Sequence, residues 1–338
     1  MQRFHTRRVI TSVLTGCATA TLMVLLPRAV GTTWAAVGEV LRAVSMPGLA
    51  ALTVLWIAGL WSHTFVLAAS LPGLTKRRGL TLSLTGSAVA NVLPLGGAAG
   101  TGLNYAMTRR WGFSPAAFGG FLAVTTLTNV VAKLGVVAVA LMLAPTMHSA
   151  TALPIGRTGL ALIPVLAALA AVAWFLARPS AAATTGRRLD RLLGFFRRRP
   201  MLALSLPELR ISVLRVFRRG WRRMTLGMVA YLILQLGLLW MCFQLLGTAL
   251  SLPILITGLA VERLLTLIPL TPGGAGVVEV GTSAALVALG GDPAAITAGL
   301  LLFRGFTYLL EIPVGGATLA IWCLRNRPRT RQAAGTTV

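Results

Sequence analysis

Six stretches of this chain run for about twenty residues with almost no charge, roughly the length of apolar helix that crosses a hydrocarbon layer about 30 Å thick. They are Val9–Leu26, Gly48–Leu71, Ala116–Ala144, Gly159–Ala177, Met224–Leu246 and Ala294–Leu324. No water-soluble core can absorb all of them. Only 11% of the 338 residues are charged and 56% are hydrophobic, whereas a soluble domain carries about 25% charged residues. A backbone removed from water must satisfy its own polar groups, and separate apolar runs of this length do so as helices. The expected fold is an all-α polytopic membrane protein.

The charge that remains is lopsided, with 31 Lys and Arg against 7 Asp and Glu and a formal net charge of +24. Nucleic acid is excluded as the partner because the basic residues sit between spans and form no continuous binding face. Arg3, Arg7 and Arg8 precede the first span, Lys76, Arg77 and Arg78 follow the second, and Arg325, Arg327, Arg329 and Arg331 follow the last. The loop 178–223 holds thirteen Arg against Asp190 and Glu208. Basic loops stay on the cytoplasmic side, which puts both termini, this loop and the tail 325–338 in the cytoplasm. Phe195, Phe196, Val213, Leu214, Val216 and Phe217 are interleaved with the loop's arginines, a pattern expected of an amphipathic helix lying on an anionic leaflet.

Two further apolar segments are interrupted at mid-length. Thr81–Thr108 is broken by Asn91-Val92-Leu93-Pro94-Leu95-Gly96-Gly97, and Pro253–Leu289 by Ile268-Pro269-Leu270-Thr271-Pro272-Gly273-Gly274-Ala275-Gly276. A broken backbone inside a membrane is tolerated only where protein buries it or it lines a wet cavity. Both segments therefore read as re-entrant hairpins, giving about six full spans plus two hairpins, or about eight hydrophobic segments. The breaks also expose an internal repeat. Leu93-Pro94-Leu95 matches Ile268-Pro269-Leu270, Gly96-Gly97-Ala98 resembles Gly273-Gly274-Ala275, and Gly112–Ala117 matches Gly290–Ala295. Each half, about 9–145 and 158–324, holds three crossings, so the second is inverted relative to the first. Inverted repeats meeting at broken helices are a recurring transporter design, with the binding site at their interface.

Ionisable groups are costly in lipid, and each is a functional candidate. Lys133, Glu262, Arg263, Glu279, Arg304 and Glu311 fall within the apolar segments. Helical spacing puts Arg304, Tyr308 and Glu311 on one stripe, and Thr126, Asn129 and Lys133 on the corresponding stripe of the first half. One expectation is that the stripes face each other, Arg304 pairing with Glu279 and Lys133 with Glu311. The alternative, equally open, is that these are ion pairs that only hold spans together. Glu262 and Arg263, as sequence neighbours, are expected to point to different faces. Arg304 is the best candidate phosphate ligand, because a guanidinium can bind phosphate oxygens through two parallel bonds. The hairpin tips add free N–H groups and helix N-termini, which favour anions. His63, beside Trp61 and Ser62, reads as a packing residue before a proton carrier.

Asn91-x-x-Pro94 with the glycines after it, and Pro269-x-x-Pro272-Gly273-Gly274-x-Gly276-x-x-Glu279 followed by Arg304, resemble the transmembrane region of the lysylphosphatidylglycerol synthase/flippase family, also called the flippase-like domain. The resemblance covers nearly the whole chain as a single domain over 1–338. It implies a phospholipid-translocating membrane domain, which some members fuse to a cytoplasmic aminoacyl-transferase domain. Only a short tail follows Leu324 here, so lysyl transfer is not expected. By resemblance Pro272, Gly273, Gly274, Gly276, Glu279 and Arg304 are functional positions, with Asn91 and Pro94 in the first motif. Members of the family often carry an acidic residue after the first hairpin glycine and a basic one soon after. This chain has Gly97-Ala98-Ala99 there, so part of the usual charge is missing.

The candidate substrate-binding set is therefore Asn91, Pro94, Gly96, Gly97, Lys133, Glu262, Pro269, Pro272, Gly273, Gly274, Gly276, Glu279, Arg304, Tyr308 and Glu311. Sequence signatures of hydrolases, zinc enzymes and nucleotide-binding loops are missing, so no enzyme and no cofactor is expected. Cys17, Cys242 and Cys323 lie in apolar runs and do not suggest a metal site. Expected partners are membrane lipids, anionic ones above all, and a separate lipid synthase or glycosyltransferase. Two functions remain in view: a lipid flippase, and a non-transporting accessory that presents lipid to such an enzyme.

Overall fold

The computed structural model describes residues 2–93, 96–147, 155–178, 202–267 and 271–326, with a few positions between 180 and 190. All regular structure in these residues is helical. The first helix, α1, runs Gln2–Ala29. A bend of 84° leads into α2, Trp34–Arg42, whose start is capped by Thr33 Oγ1 accepting from the Ala36 N–H. Then follow α3 Met46–Ser70, α4 Lys76–Val92, α5 Gly96–Arg110, α6 Pro115–Leu143 and α7 Ile155–Ala177. The second half comprises α8 Leu202–Leu245, α9 Leu252–Leu265, α10 Val277–Ala288, α11 Pro293–Arg304 and α12 Glu311–Arg325. Among the described residues five helices are long and apolar enough to cross a membrane, or six if the bent α1–α2 pair is one span. The chain is a polytopic membrane protein.

The third repeat landmark folds alike in both halves. Gly112 and Gly290 sit at φ +88° and +95°, a backbone region open to glycine without strain. Ser114 and Asp292 then cap α6 and α11 by accepting from Ala117 and Ala295, and a proline opens each helix. Such a cap followed by proline at the first helical position is a strong start signal.

Small residues let the helix backbones approach, which is how helices associate where water supplies no driving force. Ser62 of α3 donates to the Gly227 carbonyl of α8 at 3.1 Å. A Cβ at Gly315 of α12 would lie 2.1 Å from the Leu84 carbonyl oxygen of α4. α9 packs in turn on α6, with Ala260 clustered against Val137 and Ala140. The final helix of each half thus rests on the first arm of the other half's broken segment. The main apolar core gathers Leu52 and Trp56 of α3, Phe243 of α8, Leu255 and Leu259 of α9, Leu286 of α10 and Phe303 of α11.

The helix expected in the loop 178–223 is, over 202–223, continuous with the following span. Residues 202–223 are the first half of α8, which has 44 residues and so a length of about 66 Å at 1.5 Å per residue. That is twice the hydrocarbon thickness, so one end must leave the bilayer. Val213 is buried against Val124 and Met224, with Val216 packed on the same cluster, while Phe217 and Trp221 are exposed. Arg210 reaches across to α7, where its guanidinium donates to the carbonyls of Phe175, Leu176 and Ala177. Those carbonyls are orphans of a helix C-terminus, where a cation is also favoured. Phe195 and Phe196 lie outside the described residues.

Candidate functional site

The two interrupted segments fold as helix pairs, α4 with α5 and α9 with α10. In the first, a Cβ at Gly96 would lie 2.3 Å from the Ala90 carbonyl oxygen, and one at Gly100 2.6 Å from that of Gly86. Gly97, by contrast, has nothing within 4 Å of its Cβ position. In the second pair Gly281 abuts Leu265 and Gly258 abuts Leu286, so these helices are also antiparallel. Glycine is what allows both to close.

The second break is the more elaborate. Pro272–Gly274 forms one tight turn, and Gly273, Gly274 and Gly276 take φ of +56°, +75° and +85°. Three left-handed residues in four account for the glycines of the motif, because a side chain there costs about 1–2 kcal/mol each. Thr271 Oγ1 donates to the Ala275 carbonyl at 2.8 Å, closing the loop on itself. Gly276 starts α10, and its N–H donates to Glu279 Oε2 at 2.6 Å. A carboxylate in the first turn satisfies an orphan donor and meets the positive end of the helix dipole.

Glu279 is also half of the expected pair with Arg304, whose Nε donates to Oε1 at 2.6 Å. The same guanidinium donates through Nη2 to the Gly273 carbonyl at 3.1 Å and places Nη1 3.9 Å from Glu262 Oε1. Arg304 is 7% exposed and Glu279 1%. Contrary to expectation, neighbouring Glu262 and Arg263 do not diverge, since Arg263 Nε lies 3.1 Å from Glu262 Oε2. The result is a continuous chain Arg263, Glu262, Arg304, Glu279 with two formal charges of each sign.

The first break joins this network through Tyr308. A π-helical turn, Gly305–Leu309, interrupts the last span between α11 and α12 and is closed by Leu310 N–H donating to the Gly305 carbonyl. Such turns insert an extra residue and concentrate at functional sites. This one holds the Tyr308 ring under Arg304, 4.8 Å from the guanidinium carbon. The hydroxyl donates to the Asn91 carbonyl at 2.8 Å and approaches that of Pro272 at 3.3 Å. Asn91 Nδ2 returns a bond to the Tyr308 carbonyl at 3.2 Å. A Cβ on Gly273 would collide with this ring at 2.3 Å. Asn91, Gly273 and Tyr308 therefore bring both motifs together.

The extra residue also breaks the expected stripe. Glu311 turns toward Ser87 of α4 and Trp56 of α3, and its expected pairing with Lys133 does not form. Lys133 Nζ instead donates to Thr266 Oγ1 at 2.9 Å, binding α6 to the end of α9. Pro94 and Pro269 lie outside the described residues. Thr266 and the π turn were missed at the sequence level; Gly305, following an arginine within an apolar span, is the one local sign of the latter. Among the described residues no group of three or more His, Cys, Asp or Glu could hold a metal ion.

Comparison with known proteins adds one finding. No curated protein matches the chain, but the sequence profile described as Lysylphosphatidylglycerol synthase TM region matches residues 9–315.

Proposed function

Because the chain belongs to the lysylphosphatidylglycerol synthase TM region family, we propose that it binds a phosphate-bearing, anionic membrane lipid and moves it between leaflets. The observation that carries this reading is the meeting of two helix breaks, one from each half, at a buried chain of charges. Broken helices and intramembrane charge are both expensive in lipid. Their coincidence favours a site over a scaffold.

In this reading the molecule has six spans and two re-entrant hairpins in inverted repeats. It lies in a bacterial inner membrane with both termini in the cytoplasm. The first hairpin enters from the cytoplasm and the second from outside, consistent with the basic flanks of the first. Reciprocal packing of α12 on α4 and α9 on α6 supports the repeat. The lipid phosphate exchanges with Glu262 at Arg304, whose 3.9 Å contact is the longest in the network. Acyl chains stay in lipid, beside the apolar groove of about 700 Å³ between α6, α7 and α8. The chain performs no covalent chemistry of its own.

One observation favours a second reading. Arg304 is already well partnered by Glu279 and Gly273, as suits a static accessory that presents lipid to a separate synthase or glycosyltransferase. Reconstitution with headgroup-labelled lipids decides between the two. Bleaching of inner-leaflet label from outside, faster than in protein-free liposomes, is expected. Bleaching at the protein-free rate refutes transport, and lipid bound without it supports the accessory.

A further inference from the structure

A second site lies beside the first break, in a cavity of about 260 Å³ between α3, α4, α5 and α6. Its polar lining includes His63, Ser83, Ser87, Thr101, Asn104 and Asn129. We propose that this cavity receives an uncharged, hydroxyl-bearing lipid headgroup of about monosaccharide size and rejects a cationic one. This rests on the reading of the chain as a lipid-binding protein and names the headgroup class.

Three features carry it. First, the lining is built from amides and hydroxyls, which both donate and accept, as a polyol requires. Asn104 Oδ1 has no hydrogen-bond partner, and a buried acceptor left so costs about 1–3 kcal/mol. Second, no carboxylate lines the cavity. Glu311 hydrogen-bonds the lining Ser87 but is not itself in the wall, and Arg304 and Arg263 offset its charge. Arg263 also lies within electrostatic reach of His63 and Lys133, and Lys133 is one helical turn from Asn129 on α6. An ammonium group entering here finds no carboxylate on the cavity wall to pair with.

Third, the shape suits a small ring. Phe118 and Phe121 provide an apolar wall against which the C–H face of a sugar or cyclitol packs. Gly86 and Gly100 keep α4 and α5 close. Gly97 lines the cavity at the exposed tip of the first hairpin, with open space at its Cβ position. That tip adjoins the Asn91–Tyr308 link, so a headgroup here sits next to the charge network that the phosphate is proposed to use.

The test measures binding of phosphatidylinositol, phosphatidylethanolamine and lysyl-phosphatidylglycerol, matched in acyl chains, to the full chain in detergent by native mass spectrometry. Phosphatidylinositol is expected to bind at least about tenfold tighter than either amine-bearing lipid. Gly97→Leu fills open space and is expected to fold, verified by its melting curve, yet to abolish the preference. Asn104→Leu is expected to do the same. Equal binding of the three lipids, or a preference that survives Gly97→Leu, overturns the proposal. The readout is equilibrium binding, so a chain that binds phosphatidylinositol selectively but never flips it sinks the transport reading alone. Flipping with no headgroup preference sinks this one alone.

Discussion

Replacing Arg304 with methionine should be repaired by a second substitution at the residue it binds. Arg304→Met leaves Glu279, 1% exposed, with a formal charge and only the Gly276 N–H as partner. Stranding one member of a buried ion pair costs about 3–5 kcal/mol. Glu279→Gln is milder, because its amide oxygen still accepts from Gly276. It forfeits one charged hydrogen bond, worth about 1.5–3 kcal/mol, and leaves Arg304 with the Gly273 carbonyl and Glu262. In the double variant no uncompensated charge remains at 279, and Glu262 keeps Arg263. The double variant should therefore be more stable than Arg304→Met alone.

The assay is thermal unfolding of purified protein in detergent, followed by intrinsic tryptophan fluorescence, with the monodisperse fraction as a check. At about 2–4 °C per kcal/mol, Arg304→Met should lose at least about 6 °C and the double variant should recover part of that. Losses that add to within about 0.5 kcal/mol, as for independent sites, would refute the clamp. So would an unchanged melting point for Arg304→Met. If the double variant regains stability but still does not move lipid, Arg304 has a role in transport beyond holding the break.

Other expectations follow from local geometry. Gly96→Ala should destabilise by about 1–3 kcal/mol through overpacking, whereas Gly97→Ala, with open space around it, should be neutral or slightly stabilising; paired melting curves check both. Gly273→Ala adds left-handed strain of about 1–2 kcal/mol to a collision with Tyr308, and should melt below Gly96→Ala. Gly315→Ala should push α12 off α4 and lower the folded yield, while Gly316→Ala, facing nothing within 4 Å, should not. A Lys133→Met and Glu311→Gln cycle should be additive, because Lys133 bonds Thr266 instead; coupling above about 1 kcal/mol would contradict the geometry.

The spans and breaks were legible because their signals are local: length of apolar run, proline at a helix start, glycine at a turn. Gly112-Phe113-Ser114-Pro115 and Gly290-Gly291-Asp292-Pro293 could be matched by eye, and both fold into the same capped turn. The Arg304–Glu279 pair was also within reach, since charges in lipid must find each other. Lys133 and Glu311 were misjudged because a single extra residue in the Gly305–Leu309 turn rotates everything after it, and spacing rules assume a regular helix. Glu262 and Arg263 were misjudged for another reason. Long side chains on adjacent positions can bend toward each other, because an apolar surrounding strengthens the attraction between opposite charges. The length of α8 was hidden because its arginines look like a loop, although Arg210 ties it to the end of α7.

Charge is distributed unequally between the two breaks. Ala98 and Ala99 follow the first hairpin's glycines, and no ion pair forms there among the described residues. The first break is held instead by the two neutral hydrogen bonds between Asn91 and Tyr308, so it depends on the second half for its shape. Counting Lys133 and Glu311, the intramembrane groups sum to three positive and three negative formal charges. A neutral network offers an anion no net attraction, so any phosphate bound here must displace a carboxylate from a guanidinium. Headgroup selection must then come from outside the network, and the uncharged cavity beside the alanine-bearing hairpin is where the polar surface for it lies. On the proposed reading, the uncharged first break and the amide- and hydroxyl-lined cavity next to it act together in choosing the headgroup.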